Sequence, residues 1–234
     1  MRKLFVYISV SCLGILSSSF SGIPSIRSND FTPLTTGVAS IPARASLLYD
    51  ELNLEEKGLS KEAFEYAYKG YEYLLEKKKL DQPEYLTICD FSQSSKQKRF
   101  YIIDLANDSL IMNTYVAHGK KSGGEYATRF SNKPSSKQSS LGFYVTKNTY
   151  SGEHGLSLRV DGLEPGFNDR AYRRAIVVHG ADYIGNGSTG RSYGCPAVPR
   201  EDCKTIINTI KNGTCLFIYH PQKKYLQSSK ILND

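Results

Sequence analysis

The sequence predicts a β-rich domain, a sheet or a barrel, with a helical annex before it and one helix between its last strands. From residue 86 onward, short segments rich in β-branched and aromatic residues are separated by turn signals such as "ANDS" and "DGLEPG". Before them, residues 59–75 place apolar side chains three and four positions apart. Near the end, "REDCKTIINTIKNG" fits a further helix, entered after Pro199 and closed by Gly213.

Residues 1–21 are typical of a secretory signal peptide. "MRK" is a basic start, residues 4–16 are an apolar segment too short to span a bilayer, and "SFS" at 19–21 is a cleavage site with small residues. We therefore expect the protein to be exported and to lie in the periplasm or in association with the cell envelope.

A spacer and a helical annex follow the signal peptide. Residues 22–47 are rich in Ser, Pro and Thr without periodicity, which predicts a flexible spacer. Residues 48–82 form the annex, whose helix begins after Ser60 as N-cap. Its apolar stripe predicts a face that docks on the main body, and consists of Phe64, Ala67, Tyr68, Tyr71, Leu74 and Leu75.

The main domain is predicted to span residues 83–226, followed by a C-terminal tail at 227–234. Seven segments of this domain read as strands. They are "LTICDFS", "KRFYIIDL", "SLIMNTYVAHG", "LGFYVTKNTY", "LSLRVDG", "AIVVHGA" and "TCLFIYH".

Composition and charge limit the kinds of partner. The formal net charge is +7, an excess that either attracts an anionic polymer of the envelope or only solvates the surface. No nucleic-acid recognition motif is present, so we expect no nucleic-acid partner. We also expect a monomer that needs no cofactor and no metal.

Four cysteines follow the signal peptide. Cys89 and Cys215 lie in apolar segments and are typical of buried packing thiols, whereas Cys203 falls on the predicted second helix. An oxidising compartment would allow disulfides among these three, and the sequence leaves that question open. The fourth, Cys195, is a candidate for a catalytic role instead.

Residues 175–199, "AIVVHGADYIGNGSTGRSYGCPAVP", set one histidine and one cysteine on either side of a polar, glycine-rich loop. An imidazole in hydrogen-bond contact can take the proton of a thiol and make it a strong nucleophile. A strand ending at His179 and a loop returning at Cys195 can provide that contact. The amides of Tyr193, Gly194 and Cys195 could point together as an oxyanion hole.

This segment resembles the catalytic domain of the murein L,D-transpeptidases, the YkuD-like family. The family motif, His-Gly followed by Ser-x-Gly-Cys, is matched by His179-Gly180 and by Ser192-Tyr193-Gly194-Cys195. The segments "YVAHGKKSGGEYATRFSN", "SSLGFY" and "GLSLRVDGLEPGFNDRAYRRAIVVHGADY" resemble, in that order, a variant subfamily in which Pro-Ala-Val-Pro follows the cysteine. The resemblance extends from roughly residue 48 to residue 226.

The resemblance implies acyl transfer on the stem peptides of peptidoglycan by an enzyme that carbapenems acylate. It makes Cys195 the nucleophile that attacks the carbonyl of the third stem residue, a diamino acid, and expels the terminal D-Ala. It makes His179 the base that later acts as acid, and it assigns oxyanion donors to Tyr193 and Gly194. The acceptor stays open: water gives an L,D-carboxypeptidase, a second stem's amine a 3→3 cross-link, and a protein lysine an anchored protein.

Two positions depart from the family motif. Tyr193 stands where the commoner motif has His, and Pro196-Ala197 stands where many relatives have an apolar residue followed by Arg or Asn. That missing polar group is expected near the substrate. Arg191, with Arg174 behind it, is the candidate replacement, although either arginine could instead only brace the loop.

Three further residues are expected to support the site. Gly180 and Ser192 belong to the family motif. His118, in "VAHGKKSGG", closes another strand. It has two interpretations: it lines the same cleft from the opposite wall, or it is a hydrogen-bonded histidine at the end of a strand.

Two other classes of protein compete with this interpretation. A zinc D,D-peptidase is suggested by His154 and Asp161, which keep the spacing of the pattern S-x-H-x-x-G-x-A-x-D, but Ser157 and Arg159 replace its Gly and Ala and no Glu-x-His follows. A wall-binding module that holds stem peptides without cutting them would have lost the nucleophile or the base, and this sequence has both.

Overall fold

The computed structural model describes residues 40–184 and 191–234. The predicted signal peptide lies outside this part of the chain, as do residues 22–39 of the predicted spacer. In the part that is described, no helix is both long enough and apolar enough to cross a membrane.

Eight strands form one sheet, which confirms the predicted β-rich fold. The strand order is β3-β2-β1-β8-β4-β5-β6-β7. The strands are β1 (Tyr85–Asp90), β2 (Phe100–Asp104), β3 (Ser109–Thr114), β4 (Gly142–Gly152), β5 (Gly155–Gly162), β6 (Val177–Ala181), β7 (Ala197–Pro199) and β8 (Cys215–Tyr219). Neighbouring strands are antiparallel except β1 with β8 and β6 with β7, which are parallel.

The sheet is nearly closed on itself. Its two edges are β3 and β7, and the chain that continues beyond β3 returns to the opposite edge. There the amide of Ala117 donates to the carbonyl of Ala197 at 2.8 Å. This contact fixes the short strand β7, which the sequence did not predict because three residues carry no periodicity.

The annex helix docks on the sheet with its apolar stripe, except for Leu75, which was predicted to belong to the docking face but is 39% exposed. It is α2 (Lys61–Glu76), and the hydroxyl of Ser60 caps it by accepting from the amide of Ala63 at 3.2 Å. Gly70 allows the close approach, because a Cβ atom at this position would come within 1.9 Å of the ring of Phe143. The aromatic residues of α2 thereby join the core of the sheet.

The expected spacer ends earlier than residue 47. Helix α1 (Ile41–Glu51) begins with Pro42 in its first turn, a position that proline favours. Ala45, Leu48 and Tyr49 are buried along one face of it, so the sequence does carry a helical apolar spacing here. The hydroxyl of Tyr49 donates to the carbonyl of Leu59 at 2.7 Å and ties α1 to the start of α2.

The predicted tail is packed against the body of the protein. After α3 (Arg200–Ile210) and β8, helix α4 (Lys223–Ser228) begins within the predicted main domain and ends in the tail, and α5 (Lys230–Asn233) lies wholly in the tail. The hydroxyl of Ser229 donates to the buried carboxylate of Glu164, which also accepts from Tyr225 Oη and from the amide of Phe143, each at 2.8 Å. Burial raises the pKa of Glu164, partly offset by these three donors.

Candidate active site

The pairing of β6 with β7 sets the position of the two candidate catalytic residues. These strands are parallel, with His179 opposite Ala197, and neighbouring strands lie about 4.8 Å apart. Cys195 comes two residues before Ala197. The register therefore brings the cysteine to the neighbourhood of the histidine across a single strand spacing.

Both side chains line one cavity of about 480 Å³, a volume typical of small-ligand sites. Three segments supply most of its other walls. They are the β4–β5 hairpin with Tyr150, Glu153 and His154, the chain before β6 with Arg174 and Ala175, and the loop before β7 with Arg191 and Tyr193.

The tautomer of His179 follows from its hydrogen bond. Its Nδ1 lies 3.1 Å from the carbonyl oxygen of Gly180, and because a carbonyl only accepts, Nδ1 carries the proton and Nε2 is free to accept one. Burial lowers the pKa of His179, and the electrostatic effects of His154 and Arg200 lower it further, against the opposing effect of the Gly180 carbonyl. The imidazole is therefore neutral at pH 7.

Gly180 also sets the distance between the sheet and α3. A Cβ atom here would lie 2.9 Å from Cβ of Cys203 and 3.2 Å from its Sγ. The expected supporting role of Gly180 therefore has two parts: its carbonyl orients His179, and its lack of a side chain admits the helix.

The thiol of Cys195 is held in its neutral form. Burial raises its pKa, while the amide of Val177 and the charge of Arg174 oppose that rise. Its Sγ lies 3.7 Å from the carbonyl oxygen of Ala175. Among the hydrogen bonds of residues 40–184 and 191–234, none joins this thiol to His179. The two groups share a cavity without a direct bond.

Ser192 organises the turn that presents the cysteine. Its hydroxyl donates to the carbonyl of Cys195 at 2.7 Å and accepts from the amide of Gly194 at 3.2 Å. Gly194 has φ +119°, and a Cβ atom there would lie 2.6 Å from the carbonyl oxygen of Gln138, so both conformation and space require glycine.

This turn corrects one part of the predicted oxyanion hole. The amide of Gly194 is already bonded to Ser192, because a serine hydroxyl readily accepts from the amide two residues later. The amides of Tyr193 and Cys195 stay as predicted donors.

Arg174 braces the chain opposite the cysteine, as one of its two interpretations expected. Its guanidinium donates to the carbonyls of Ser131 at 2.8 Å and Gln138 at 2.5 Å, and to the hydroxyl of Ser140 at 2.9 Å. Arg191 differs: it lines the cavity with its guanidinium 5.4 Å from the ring centroid of Tyr183. A substrate contact by Arg191 stays a prediction.

His118 does not line the cleft, contrary to one of its two interpretations. It is fully buried, and the buried guanidinium of Arg99 donates to its Nδ1 at 2.8 Å, so its Nε2–H is directed at the carbonyl of Gly123, 3.5 Å away. Burial and the charge of Arg99 lower the pKa of His118 to about 4. Its support is indirect, since its carbonyl accepts from the amide of Ser192 at 3.3 Å.

His154 is a residue of the site that sequence reasoning missed. Its ring stacks on that of His179, with centroids 4.2 Å apart and planes inclined by 17°. Its carbonyl accepts from Arg200 Nη1 at 2.7 Å, and Arg200 also pairs with Asp182 at 3.0 Å. The strand order explains why His154 reaches the site. Strand β5 pairs with β6, and this pairing brings the β4–β5 turn, which contains His154, next to His179.

Neither a zinc site nor a disulfide bond occurs in the described part of the chain. No cluster of three or more His, Cys, Asp or Glu that could hold a metal occurs within it, so His154 and Asp161 lack further zinc ligands there. Cys89, Cys203 and Cys215 are buried free thiols, which answers the open question of disulfides among them and confirms Cys89 and Cys215 as packing residues.

The fold and the cavity therefore define a cysteine and histidine site at the edge of a nearly closed sheet. The sequence profile of the L,D-transpeptidase catalytic domain family matches residues 55–219. The chain belongs to this family, as the His-Gly and Ser-x-Gly-Cys motifs predict. No curated protein matches the chain.

Solved structures with similarity to the chain include an L,D-transpeptidase from Mycobacterium smegmatis, at 13% identity and a TM-score of 0.38 over 58% of this chain and 59% of that one. A second, from Mycobacterium tuberculosis, has 15% identity and a TM-score of 0.37 over 58% of each chain. The helical cell shape determining protein Pgp2 from Campylobacter jejuni has 13% identity and a TM-score of 0.40, over 66% of this chain and 57% of that one. The chain thus spans somewhat more than half the length of these proteins.

We expect His154→Phe to raise the pKa of His179. Phenylalanine keeps the ring stack and the shielding from water but removes the neighbouring imidazole, whose electrostatic effect lowers the pKa of His179. An NMR titration of the His179 imidazole measures this shift. His220→Gln is the control, since His220 does not line this cavity, and an unchanged or lower pKa of His179 in His154→Phe would contradict the stacking account.

Proposed function

We propose that the protein is a peptidoglycan acyltransferase of the L,D-transpeptidase type that works through an acyl-enzyme on Cys195. The observation that carries the proposal is the pair of Cys195 and His179 on one cavity, with Nδ1 of His179 bonded to Gly180 and with no hydrogen bond to Nε2 from residues 40–184 or 191–234. Family membership supports the reaction class. The substrate is the L,D peptide bond of a tetrapeptide stem, between the diamino acid and the terminal residue.

Proton transfer accompanies attack in this mechanism. Because burial favours the neutral forms of both the thiol and the imidazole, the resting pair is not an ion pair. Sγ leaves the carbonyl of Ala175 and turns toward Nε2 of His179. Nε2 takes the thiol proton while sulfur bonds to the carbonyl carbon, and the pair of electrons moves to the carbonyl oxygen.

The tetrahedral intermediate then collapses. The negative oxygen accepts hydrogen bonds from the amides of Tyr193 and Cys195, the two donors that Ser192 does not occupy. The imidazolium of His179 returns its proton to the leaving amine, and the C–N bond breaks. An acceptor amine or water attacks the thioester, His179 takes the acceptor's proton, and the regenerated thiolate recovers it.

Stacking on His154 and the bond to Gly180 hold the base for both steps. Nδ1 cannot turn toward the substrate without losing its bond to the carbonyl of Gly180, and one face of the ring is covered by the ring of His154. Arg191 reaches the same cavity and is the candidate for contact with the substrate in place of the polar residue that the motif lacks after Cys195.

The place of action and the partners belong to the same proposal. A signal peptide at residues 1–21 would deliver the protein to the periplasm or the cell envelope, where peptidoglycan stems are found. The acceptor is water, the amine of a second stem, or a protein lysine. We expect the enzyme to act as a monomer, because His179 and Cys195 reach the cavity from one chain.

Cys195→Ala is expected to abolish changes in peptidoglycan. Purified protein is incubated with native peptidoglycan, and the muropeptides are analysed by mass spectrometry. Loss of the terminal residue alone identifies water as the acceptor, a 3→3 cross-link identifies a second stem, and an attached protein identifies a protein lysine. Cys203→Ala is the matched control and keeps the activity, since its buried thiol costs about 1 kcal/mol of stability to truncate. Activity that survives in Cys195→Ala would rule out the mechanism, and binding without any change by the parent would indicate a wall-binding module.

His179→Ala is expected to slow covalent modification by a carbapenem by roughly a hundredfold at pH 7, the usual scale for a lost general base. The rate should partly recover as the pH rises, because the raised pKa of Cys195 is then reached and the thiol ionises unaided. The measurement is the rate of mass increase from pH 6 to 10. The control is His118→Gln, whose ring lies outside the cavity; a His179→Ala profile that overlies the parent would show that another group is the base.

A further inference from the structure

An exposed tyrosine beside the nucleophile carries two lysines on its ring. Tyr193 is 63% exposed and lines the same cavity as Cys195. The Nζ atoms of Lys120 and Lys137 lie 4.4 and 4.9 Å from its ring centroid. We call Tyr193, Lys120 and Lys137 the Tyr193 platform. It places two ammonium groups against a side chain that lines the cavity.

Backbone hydrogen bonds fix where the two lysines stand. The amide of Lys120 donates to the carbonyl of Ser192 at 2.8 Å, next to Tyr193. The carbonyl of Lys137 accepts from the amide of Lys121 at 3.0 Å. The segment of Lys137 is further held by Arg174, which donates to the carbonyl of Gln138. Both lysines are thus tied to the turn that carries Cys195.

The charges of the platform are not balanced within the described part of the chain. Two ammonium groups on one ring repel each other, and neither Lys120 nor Lys137 forms an ion pair with a carboxylate of residues 40–184 or 191–234. An anion bound beside this ring would gain an attraction from each of the two ammonium groups. Among the described residues, Glu153 is the one carboxylate that lines the cavity. It lies on the β4–β5 hairpin that carries His154, and it forms no ion pair with Lys120 or Lys137.

We propose that the Tyr193 platform binds the terminal carboxylate of the donor stem, on the residue that leaves. This inference rests on the proposed function. That carboxylate belongs to the residue directly after the attacked carbonyl, and consecutive Cα atoms are only about 3.8 Å apart. Tyr193 lies two positions before Cys195 and lines the same cavity. The platform is therefore near enough to the attacked carbonyl to bind the carboxylate of the next stem residue. The site thereby selects peptide ends over internal L,D bonds.

Binding to an inactive variant tests the platform without chemistry. Cys195→Ala protein is titrated calorimetrically with two synthetic tetrapeptides that differ only in a terminal carboxylate or a terminal carboxamide. We expect the carboxylate to bind roughly five- to twentyfold more tightly, as two exposed ion pairs provide, and the difference to shrink at high salt. Lys120→Met with Lys137→Met should remove the difference, and Lys120→Arg with Lys137→Arg should retain it.

A matched control variant and enzyme kinetics distinguish a failure of the carboxylate subsite from a failure of the proposed function. Lys121→Met with Lys133→Met removes the same charge from exposed residues of the same two segments and should keep the preference. In the active enzyme, the carboxamide should raise KM by a similar factor with a smaller effect on kcat. Equal binding and equal KM for the two peptides would overturn the platform while leaving the proposed function standing.

Two other outcomes are decisive as well. No acyl-enzyme from either peptide would count against the proposed function itself. Unchanged peptide affinity, together with weaker binding of the Lys120→Met and Lys137→Met variant to intact sacculi, would assign the lysines to an anionic wall polymer and overturn the carboxylate subsite.

Discussion

The parallel pairing of β6 with β7 is the constraint on which the rest of the site depends. It places His179 opposite Ala197 and so brings Cys195, two residues earlier, to the cavity that the histidine lines. The pairing is held from both sides. The carbonyl of Ala197 accepts from Ala117 across the closing edge of the sheet, and Gly180 lets α3 pack against β6. A shift of one residue in this register would turn His179 away from the cavity.

Two arginines, one buried and one half-buried, hold the loops around this pair. Arg99 fixes His118, whose carbonyl accepts from the turn before the cysteine. Arg174 gathers the chain opposite the turn and at the same time adds positive charge near the thiol of Cys195. The pocket therefore combines a neutral thiol and a neutral imidazole with a fixed polar surround, and in the proposed mechanism proton transfer accompanies attack.

The sequence predicted those features that repeat along the chain or that follow from one residue's chemistry. The seven longer strands, α2 with its Ser60 cap and α3 have periodicity or caps, and the motif residues have a fixed spacing. Strand β7 is too short to be periodic and exists only because both its neighbours bond to it. The stack of His154 on His179, and the capture of the Gly194 amide by Ser192, depend on which strands are neighbours and on local rotamers, and spacing along the chain reports neither.

The most direct measurement is to locate the acyl group formed with a stem tetrapeptide. Protein quenched in acid during turnover is digested, and the modified peptide is sequenced by mass spectrometry. The account predicts an added tripeptide acyl group on Cys195, and a marked loss of that adduct in His179→Ala at pH 7. An acyl group on any other residue, or release of the terminal residue without an adduct on Cys195 under conditions that trap thioesters, would contradict it.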